Sequence, residues 1–477
     1  MQKWCHWCGI VLVVFLIVGG SPGLLHAAEE HAGLSMGERL PTWTVMPFVA
    51  LLLCIAILPL AAGHWWEHNR NKGIVVAIFS IPVVLYFIST FGTDGVHELE
   101  HKLKEYISFI ALLGSLFVIS GGIYVRGSLS GTPLVNTGFL ALGASIASII
   151  GTTGASMLLI RPLLRANQSR KRVTHIVVFF IFVVSNCGGL LTPLGDPPLF
   201  LGFLVGVPFE WTLQLWKEWA FVNGILLVVF HIWDEVTLNR EDKERPGSQL
   251  EQVQQHEKFG IDGKLNFLYL LGIVATIYAS GQGLGNGGQP WPYGIQEGLM
   301  FGIGLLAMFS TKKELRELNR FSFGPIIEVA VLFIGIFITM APALLILNAN
   351  GPKLGITHPW QYFWASGTLS SFLDNAPTYL TFAATAAGTF NIPVEGRYLA
   401  EFLKLPAETN APLILAAISC GAVFMGANTY IGNGPNFMVK AIAEQNGVKM
   451  PGFFGYMAYS IGILIPIFIA ATFLFFV

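Results

Sequence analysis

The sequence predicts an all-α polytopic membrane protein, arranged as an inverted repeat with two re-entrant hairpins and two broken transmembrane helices. Of its 477 residues, 53% are hydrophobic and only 12% are charged, and the mean hydropathy is +0.63. A soluble domain carries about 25% charged residues. Apolar runs of roughly 20 residues, the length that spans a bilayer, recur along the chain. Glycine, proline and acidic residues interrupt four of these runs.

The first 28 residues predict a cleavable signal peptide. Lys3 precedes an apolar run that reaches Gly20, and the small residues Ala27 and Ala28 follow. Cleavage would leave the mature N-terminus outside an inner (plasma) membrane. A redox site at the two cysteines of this segment, or a retained anchor, are the alternatives. The net charge of −1 and the scattered basic loop residues give no reason to expect a nucleic-acid partner.

The first repeat is expected to cover residues 43–233. Spans are predicted at 43–63, 73–91 and 106–125, and the charged segment 92–105 is predicted to be an external loop. Arg126 and the basic segment 161–172 are both cytoplasmic by the positive-inside rule. The apolar segment 133–160 between them must therefore return to the side from which it started. It predicts a re-entrant hairpin that turns at residues 151–154, followed by a broken span at 173–207 and a span at 219–233.

The second repeat is expected to cover residues 265–477, after a polar cytoplasmic linker at 234–264. Spans are predicted at 265–281, 294–310 and 323–347. A second hairpin, entered from outside, is expected to break at residues 374–377. A broken span at 411–443 and a last helix at 453–477 complete the chain. Each half has five full crossings, and this odd number gives the two halves opposite orientations.

Two matching motifs show the repeat in the sequence itself. The pattern Gly-x-x-Thr-x-x-Gly-Asp-x-Pro begins at Gly189, and Gly-x-x-Thr-x-x-Gly-Asn-x-Pro begins at Gly426. Both fall in a broken span of their half. Inverted repeats with broken helices are the architecture of secondary transporters, whose site lies at the midplane where the breaks meet. Half-helix ends, freed carbonyls and carboxylates at that depth suit a cation such as Na⁺.

Three segments resemble the ion transporter superfamily, most closely its sodium/proton antiporter and citrate-transporter branch. They are SNCGGLLTPLGDPP at 185–198, SSFLDNAPTYL at 370–380 and GANTYIGNGPNFM at 426–438. The resemblance implies a homodimer with a scaffold domain, a mobile transport domain and elevator-like alternating access. Carboxylate-carrying relatives have Ser-Asn-Thr at the hairpin tips. Here the tips read Gly151-Thr152-Thr153 and Asp374-Asn375-Ala376, and this departure argues against carboxylate transport.

The charges of the broken segments favour a cation as substrate. They contain Asp196 and Asp374 but no Lys or Arg. A carboxylate deep in a membrane costs about 3 kcal/mol and is a functional candidate by default. It can hold either Na⁺ or H⁺, which suits exchange. The alternative for both residues is an N-cap role. Glu328 is a third proton-coupling candidate, although its place near a span end also fits a paired interfacial acid.

We therefore expect a sodium/proton antiporter with Na⁺ as its transported ion, no resident cofactor and no enzymatic activity. Asp374, at a hairpin tip, is expected to be the principal ligand, and Asp196 the second. The remaining candidate ion ligands supply neutral oxygens or close backbone approach: Asn186, Thr192, Gly195, Thr152, Thr153, Asn375, Thr378, Asn433 and Asn436.

Three other functions are alternatives to antiport. A cation-coupled citrate or other anion carrier would bind its substrate at half-helix N-termini without any Arg. An intramembrane aspartyl protease would need Gly-x-Gly-Asp, whereas the chain has Pro193-Leu194-Gly195-Asp196. A channel would not need two hairpins on opposite faces, which indicate alternating gates.

Overall fold

The computed structural model describes residues 35–126, 130–244, 260–287, 289, 291–319 and 321–477, and it is 78% helical. The segment predicted to be a signal peptide lies outside the described residues. The α-helices are α1 (Met36–Arg39), α2 (Met46–Ala61), α3 (Gly63–Trp66), α4 (Asn69–Phe91), α5 (Thr93–Ser120), α6 (Pro133–Ile150), α7 (Thr152–Ala166), α8 (Thr174–Val183), α9 (Pro197–Leu204), α10 (Trp216–Glu244), α11 (Leu265–Gly281), α12 (Ile295–Ser310), α13 (Lys313–Leu318), α14 (Gly324–Ala349), α15 (Pro359–Ser370), α16 (Asn375–Thr389), α17 (Tyr398–Phe402), α18 (Ala411–Met425), α19 (Gly434–Gln445) and α20 (Phe453–Phe475).

Within the described residues, nine helices are long and apolar enough to cross a membrane, as expected for a polytopic membrane protein. Two further apolar helices, α11 and α12, are 17 and 16 residues long. Short 3₁₀ segments connect several elements: Thr42–Val45, Cys187–Leu191, Phe209–Leu215, Gly351–Leu354, Ala407–Thr409 and Gly426–Asn428.

Two segments predicted to be loops are helical. Residues 93–105 form the first turns of α5, where charged side chains three and four positions apart pair with each other. The Nζ atom of Lys102 lies 3.0 Å from the Oε2 atom of Glu105, and Lys104 lies 2.7 Å from Glu100. Helix α10 likewise continues to Glu244, past the boundary predicted at residue 233.

A small sheet departs from the all-α expectation. Strand β1 (Tyr124–Arg126) pairs antiparallel with β2 (Gly260–Asp262), and Val125 lies opposite Ile261. The end of the predicted linker is therefore ordered against the segment that follows α5. The guanidinium of Arg165, near the end of α7, donates to the Tyr124 hydroxyl and to the carbonyl of Val125, each at 2.7 Å. Strands β1 and β2 therefore connect the end of the predicted linker to α7.

The helices pack as two groups that share an interface. In one group, α14 packs against α4 and α5, and α12 packs against α5. In the other group, α15 packs against α18, α10 against α6, and α19 against α7. Contacts of α14 with α16 and of α5 with α7 join the groups. The second group contains both broken segments, so it carries the candidate site.

Two helical hairpins flank the broken segments. Gly151, with φ 82°, separates α6 from α7, and their far ends meet because the amides of Asn136 and Asn167 bond to each other at 3.0 and 2.8 Å. In the second hairpin, α15 and α16 converge where the Tyr362 hydroxyl lies 3.4 Å from that of Thr389. Both hairpins therefore place one tip among the broken segments. Their insertion into a membrane from opposite sides stays a prediction.

Candidate functional site

Each broken segment leaves a helix N-terminus whose cap residue is free to bond elsewhere. After α8 and the 3₁₀ segment Cys187–Leu191, α9 begins at Pro197 with Asp196 as its N-cap. After α18, helix α19 begins at Gly434 with Asn433 as its N-cap. Neither cap side chain bonds to its own helix. Both side chains are instead available to the space between the two breaks.

The two halves make the same bonds between hairpin and break. The Thr192 hydroxyl donates to the Ser148 carbonyl, and the Thr429 hydroxyl donates to the Ser371 carbonyl at 2.5 Å. The Ser148 hydroxyl donates to the carbonyl of Gly188, and that of Ser371 to the carbonyl of Met425, which stands 237 positions later. The threonines of the repeated motif thus fix each break to its hairpin.

Asp196 is the centre of a buried network. Its side chain is 1% exposed, and its Oδ1 atom accepts from the Thr152 hydroxyl at 2.9 Å and from the Asn433 amide at 3.2 Å. Its Oδ2 atom accepts from the Asn375 amide. Within the part of the chain that the structure describes, all three donors are neutral. They come from the first hairpin, the second hairpin and the second break.

A chain of carboxamides extends from Asp196 between the two breaks. Asn433 also donates to the Oδ1 atom of Asn186 at 3.2 Å, and Asn186 donates to the Oδ1 atom of Asn436 at 2.7 Å. The Oδ1 atom of Asn375 is buried and has no hydrogen-bond partner among the described residues. A buried amide oxygen without a partner is unusual in a folded protein, and this one belongs to the same amide that donates to Asp196.

The other predicted site residues have different roles. The Asp374 carboxylate accepts from the backbone N–H of Ala376 at 3.1 Å, and it therefore caps α16. The Thr378 hydroxyl donates to the Asp374 carbonyl at 3.0 Å within the same helix. Glu328 lies 2.7 Å from the Nζ atom of the buried Lys72, as a paired acid would. These contacts favour Asp196, and not Asp374, as the centre of the site.

A cavity of about 70 Å³ lies beside the tip of the first hairpin. Residues 151–154 and Gly195 line its polar end, and Thr153 lies on its wall. Its other wall comes from α5 and the start of α14, and includes Phe117 and Pro325. No charged side chain of the described residues lines it. The first hairpin tip is thus the layer between this cavity and the Asp196 network.

Four helix N-termini converge on Asp196. Thr152 begins α7, Asp196 precedes α9, Asn375 begins α16 and Asn433 precedes α19. Helix N-termini carry a partial positive charge, which stabilises a carboxylate held among them. Among the described residues there is no cluster of three or more His, Cys, Asp or Glu that could hold a metal ion. The groups bonded to the Asp196 carboxylate are thus neutral, and the second carboxylate of the tips, Asp374, directly precedes Asn375 in the chain.

The amino-acid sequence matches a known protein family over most of its length. The family described as putative citrate transport matches residues 37–476. The chain belongs to this family. No curated protein matches the sequence. The family match and the apolar helices identify a multi-pass membrane transporter of the citrate-transporter-like branch of the ion transporter superfamily. The description of its family is that of a transport family.

Sequence reasoning missed the hairpin serines and misplaced one acid. Ser148 and Ser371 each stand three residues before the first residue of a hairpin tip, Gly151 and Asp374, a matching position that could have drawn attention to them. The sequence places Asp234 at the start of the predicted cytoplasmic linker, residues 234–264. Asp234 is instead fully buried against the Arg170 guanidinium, at 2.6 Å, because the segment after α7 folds over α10.

Proposed function

We propose that this transporter exchanges Na⁺ for protons at Asp196. The observation that supports the proposal is the buried Asp196 carboxylate, bonded only by neutral donors among the described residues. A fixed cationic partner would neutralise such a carboxylate permanently. With none, either a proton or a Na⁺ ion can neutralise it, and the binding of one excludes the other. This competition is what obligatory exchange requires.

The amides around Asp196 suit both states of such a cycle. A carboxamide presents an N–H donor on one face and an oxygen on the other. In the structure, Asn375 and Asn433 turn their N–H groups towards the carboxyl oxygens of Asp196. Rotation of either amide by a half turn would direct its oxygen at an ion bound beside Asp196. For Asn375 this rotation loses only the bond from its Nδ2 atom to Asp196, because its Oδ1 atom has no partner among the described residues, whereas Asn433 would lose three bonds.

The matched hairpin and motif bonds of the two halves support an inverted repeat and alternating access. The cavity beside the first tip lies next to α14, whose N-terminus follows a basic segment predicted to be cytoplasmic. We infer from this cavity an inward-facing state, in which residues 151–154 are the remaining barrier. We further propose a homodimer in the inner membrane, in which the helix group that contains both hairpins moves like an elevator against the other.

A cation-coupled citrate carrier is the second candidate, since the family is described by citrate transport. The four helix N-termini could bind a substrate carboxylate once Asp196 is protonated. Against it, no cationic side chain of the described residues lines the cavity beside the first tip or bonds to Asp196.

Proteoliposomes separate the two candidates. Purified protein is reconstituted with a pH-sensitive dye inside, and Na⁺, Li⁺, K⁺ or citrate is added outside. Antiport predicts that a Na⁺ gradient alone moves protons without citrate. Radiolabelled citrate uptake that requires Na⁺, together with no proton movement by Na⁺ alone, would contradict antiport and favour the carrier.

A further inference from the structure

A second buried carboxylate lies at the base of the first hairpin, far from Asp196. The Oδ1 atom of Asp234, on α10, lies 2.6 Å from the Nη1 atom of Arg170 and 2.9 Å from the Nε2 atom of His175. The side chains of Asp234 and Arg170 have no exposed surface, and that of His175 is 6% exposed. Arg170 follows α7, and His175 lies in the first turn of α8.

The same carboxylate also binds the start of the hairpin. Its Oδ2 atom accepts from the Asn136 amide at 2.9 Å, and Asn136 lies in the first turn of α6. Asn136 in turn exchanges two amide bonds with Asn167, just after α7. Asp234 therefore joins both ends of the hairpin to α8 and α10.

A second acid completes the cluster. The Oε2 atom of Glu241 lies 3.6 Å from the Nε atom of Arg170, and its Oε1 atom accepts from the backbone N–H of Arg172 at 2.7 Å. Two acids thus share one buried guanidinium. Buried ion pairs often stabilise a fold no better than apolar residues of the same size. Because burying these charges costs desolvation free energy, we attribute the cluster to the orientation that its bonds impose on the hairpin relative to α8 and α10.

We propose that Asp234 is a positioning residue for the transport site. It fixes the base of the first hairpin, so that the tip holds the Thr152 hydroxyl against Asp196. Helix α7 has 15 residues and is about 22 Å long, so it connects the base of the hairpin to its tip as one continuous helix, with Pro162 about one turn from its end. The hairpin then cannot swing open alone, and moves together with α8 and α10. The inference rests on the proposed site at Asp196.

Accessibility of the tip tests this without measuring transport. In a variant lacking the native cysteines, Thr153→Cys is labelled from the cytoplasmic side with a membrane-impermeant maleimide. Asp234→Asn removes the charge that holds Arg170 and His175, and the labelling rate should rise about tenfold, as expected for the loss of a bond to a charged group. The control is Glu244→Gln. Glu244 lies on α10, as Asp234 does, and its exposed carboxylate pairs with Arg172 at 2.6 Å; loss of this pair should leave the labelling rate unchanged.

A milder variant covers the case in which Asp234→Asn does not fold. Asn136→Ser keeps the ion pairs but removes the amide that joins Asp234 to Asn167, and it should raise the labelling rate in the same direction. Unchanged labelling in every Asp234 and Asn136 variant that folds would overturn the proposal.

Transport kinetics distinguish positioning from general destabilisation. Asp234→Asn should raise the KM for Na⁺ about tenfold with little change in kcat, since one bond to a charged group is weakened. In a Thr152→Val background the same change should have no further effect, because the bond that it acts through is already absent. Additive effects of the two changes would contradict action through the tip. If Na⁺ exchange itself is absent, the labelling result still decides the role of Asp234.

Discussion

At the scale of single residues, the site is asymmetric although its surroundings are matched. Asp196 and Asn433 occupy the same position of the repeated motif, and both are N-caps without capping bonds. One is a carboxylate and the other an amide that donates to it at 3.2 Å. The pair thus carries a single negative charge, which one monovalent cation or one proton neutralises.

Replacing Asp196 by Asn should abolish exchange without preventing folding. The amide keeps the shape of the side chain but cannot bind a proton and a Na⁺ ion alternately. In the proteoliposome assay, Na⁺-driven proton movement should fall to background for Asp196→Asn. Asp374→Asn is the matched comparison, because Asn caps a helix as well as Asp and α16 should be unaffected. Near-normal exchange by Asp196→Asn would end the assignment of Asp196 as the coupling group.

Thr152→Val should weaken ion binding while preserving the hairpin. Valine has nearly the same shape but cannot donate to Asp196, whereas the backbone N–H at this position still donates to the Gly195 carbonyl. A bond to a charged group contributes about 1.5–3 kcal/mol, so the half-saturating Na⁺ concentration should change by at least tenfold. Thr152→Ser retains the hydroxyl and should restore the wild-type value. A normal value for the valine variant would show that the tip does not act through this bond.

At the scale of elements, glycines set how closely the broken segments fold on themselves. A Cβ atom on Gly195 would overlap the carbonyl oxygen of Gly189, and backbone atoms cannot move aside as a flexible side chain can. Helices α8 and α9 are therefore joined by a loop that only glycine permits at this position. The same arrangement recurs in the second half, where a Cβ on Gly432 would meet Gly426.

Gly195→Ala should consequently destabilise the protein by about 1–3 kcal/mol, the usual cost of overpacking. Its melting temperature in detergent, followed by loss of the monodisperse peak after heating, should be clearly lower than that of the wild type. Gly434→Ala is the control, since a Cβ there meets no atom within 4 Å and lies in the first turn of α19. Equal melting temperatures for the two variants would contradict the packing explanation.

The elements also show how far sequence reasoning reaches. The predicted span 265–281 coincides with α11 and 294–310 nearly with α12, because apolar runs bounded by polar residues mark helix length well. The helical segment 93–105 was missed because its charges, which suggested a loop, pair along the helix. The hairpin and break positions follow from glycine, proline and the repeated motif.

The candidate site was only partly predictable, because its contacts join residues that are far apart in the sequence. Residue type and motif indicate the residues of the Asp196 network, but their spacing along the chain does not determine which donor bonds to which carboxylate. The bond from Asn375 to Asp196 spans 179 positions, and the ion pair of Asp234 depends on how the segment after α7 folds back. Such tertiary contacts are the reason why we propose Asp196, and not Asp374, as the centre of the site.

At the scale of the whole molecule, the two hairpin tips should be reached from opposite sides. Thr153 borders the cavity, whereas Ala376 is fully buried. Thr153→Cys should therefore react with an impermeant maleimide added from the cytoplasmic side, and Ala376→Cys only from outside and more slowly. Right-side-out and inverted vesicles give the two exposures. Reaction of both positions from one side only would refute opposite orientations of the halves.

The long sequence distance between Asp196 and its partners has a consequence for biosynthesis. Asn433 follows Asp196 by 237 residues, and ribosomes add about 5–20 residues per second. For roughly 10–50 seconds, the first half of each new chain therefore holds a carboxylate that the second half has not yet supplied with donors. A nascent protein stalled in that interval resembles a misassembled one. Of the three donors to Asp196, the nascent first half supplies Thr152, and the carboxylate stays incompletely bonded until Asn375 and Asn433 have been synthesised.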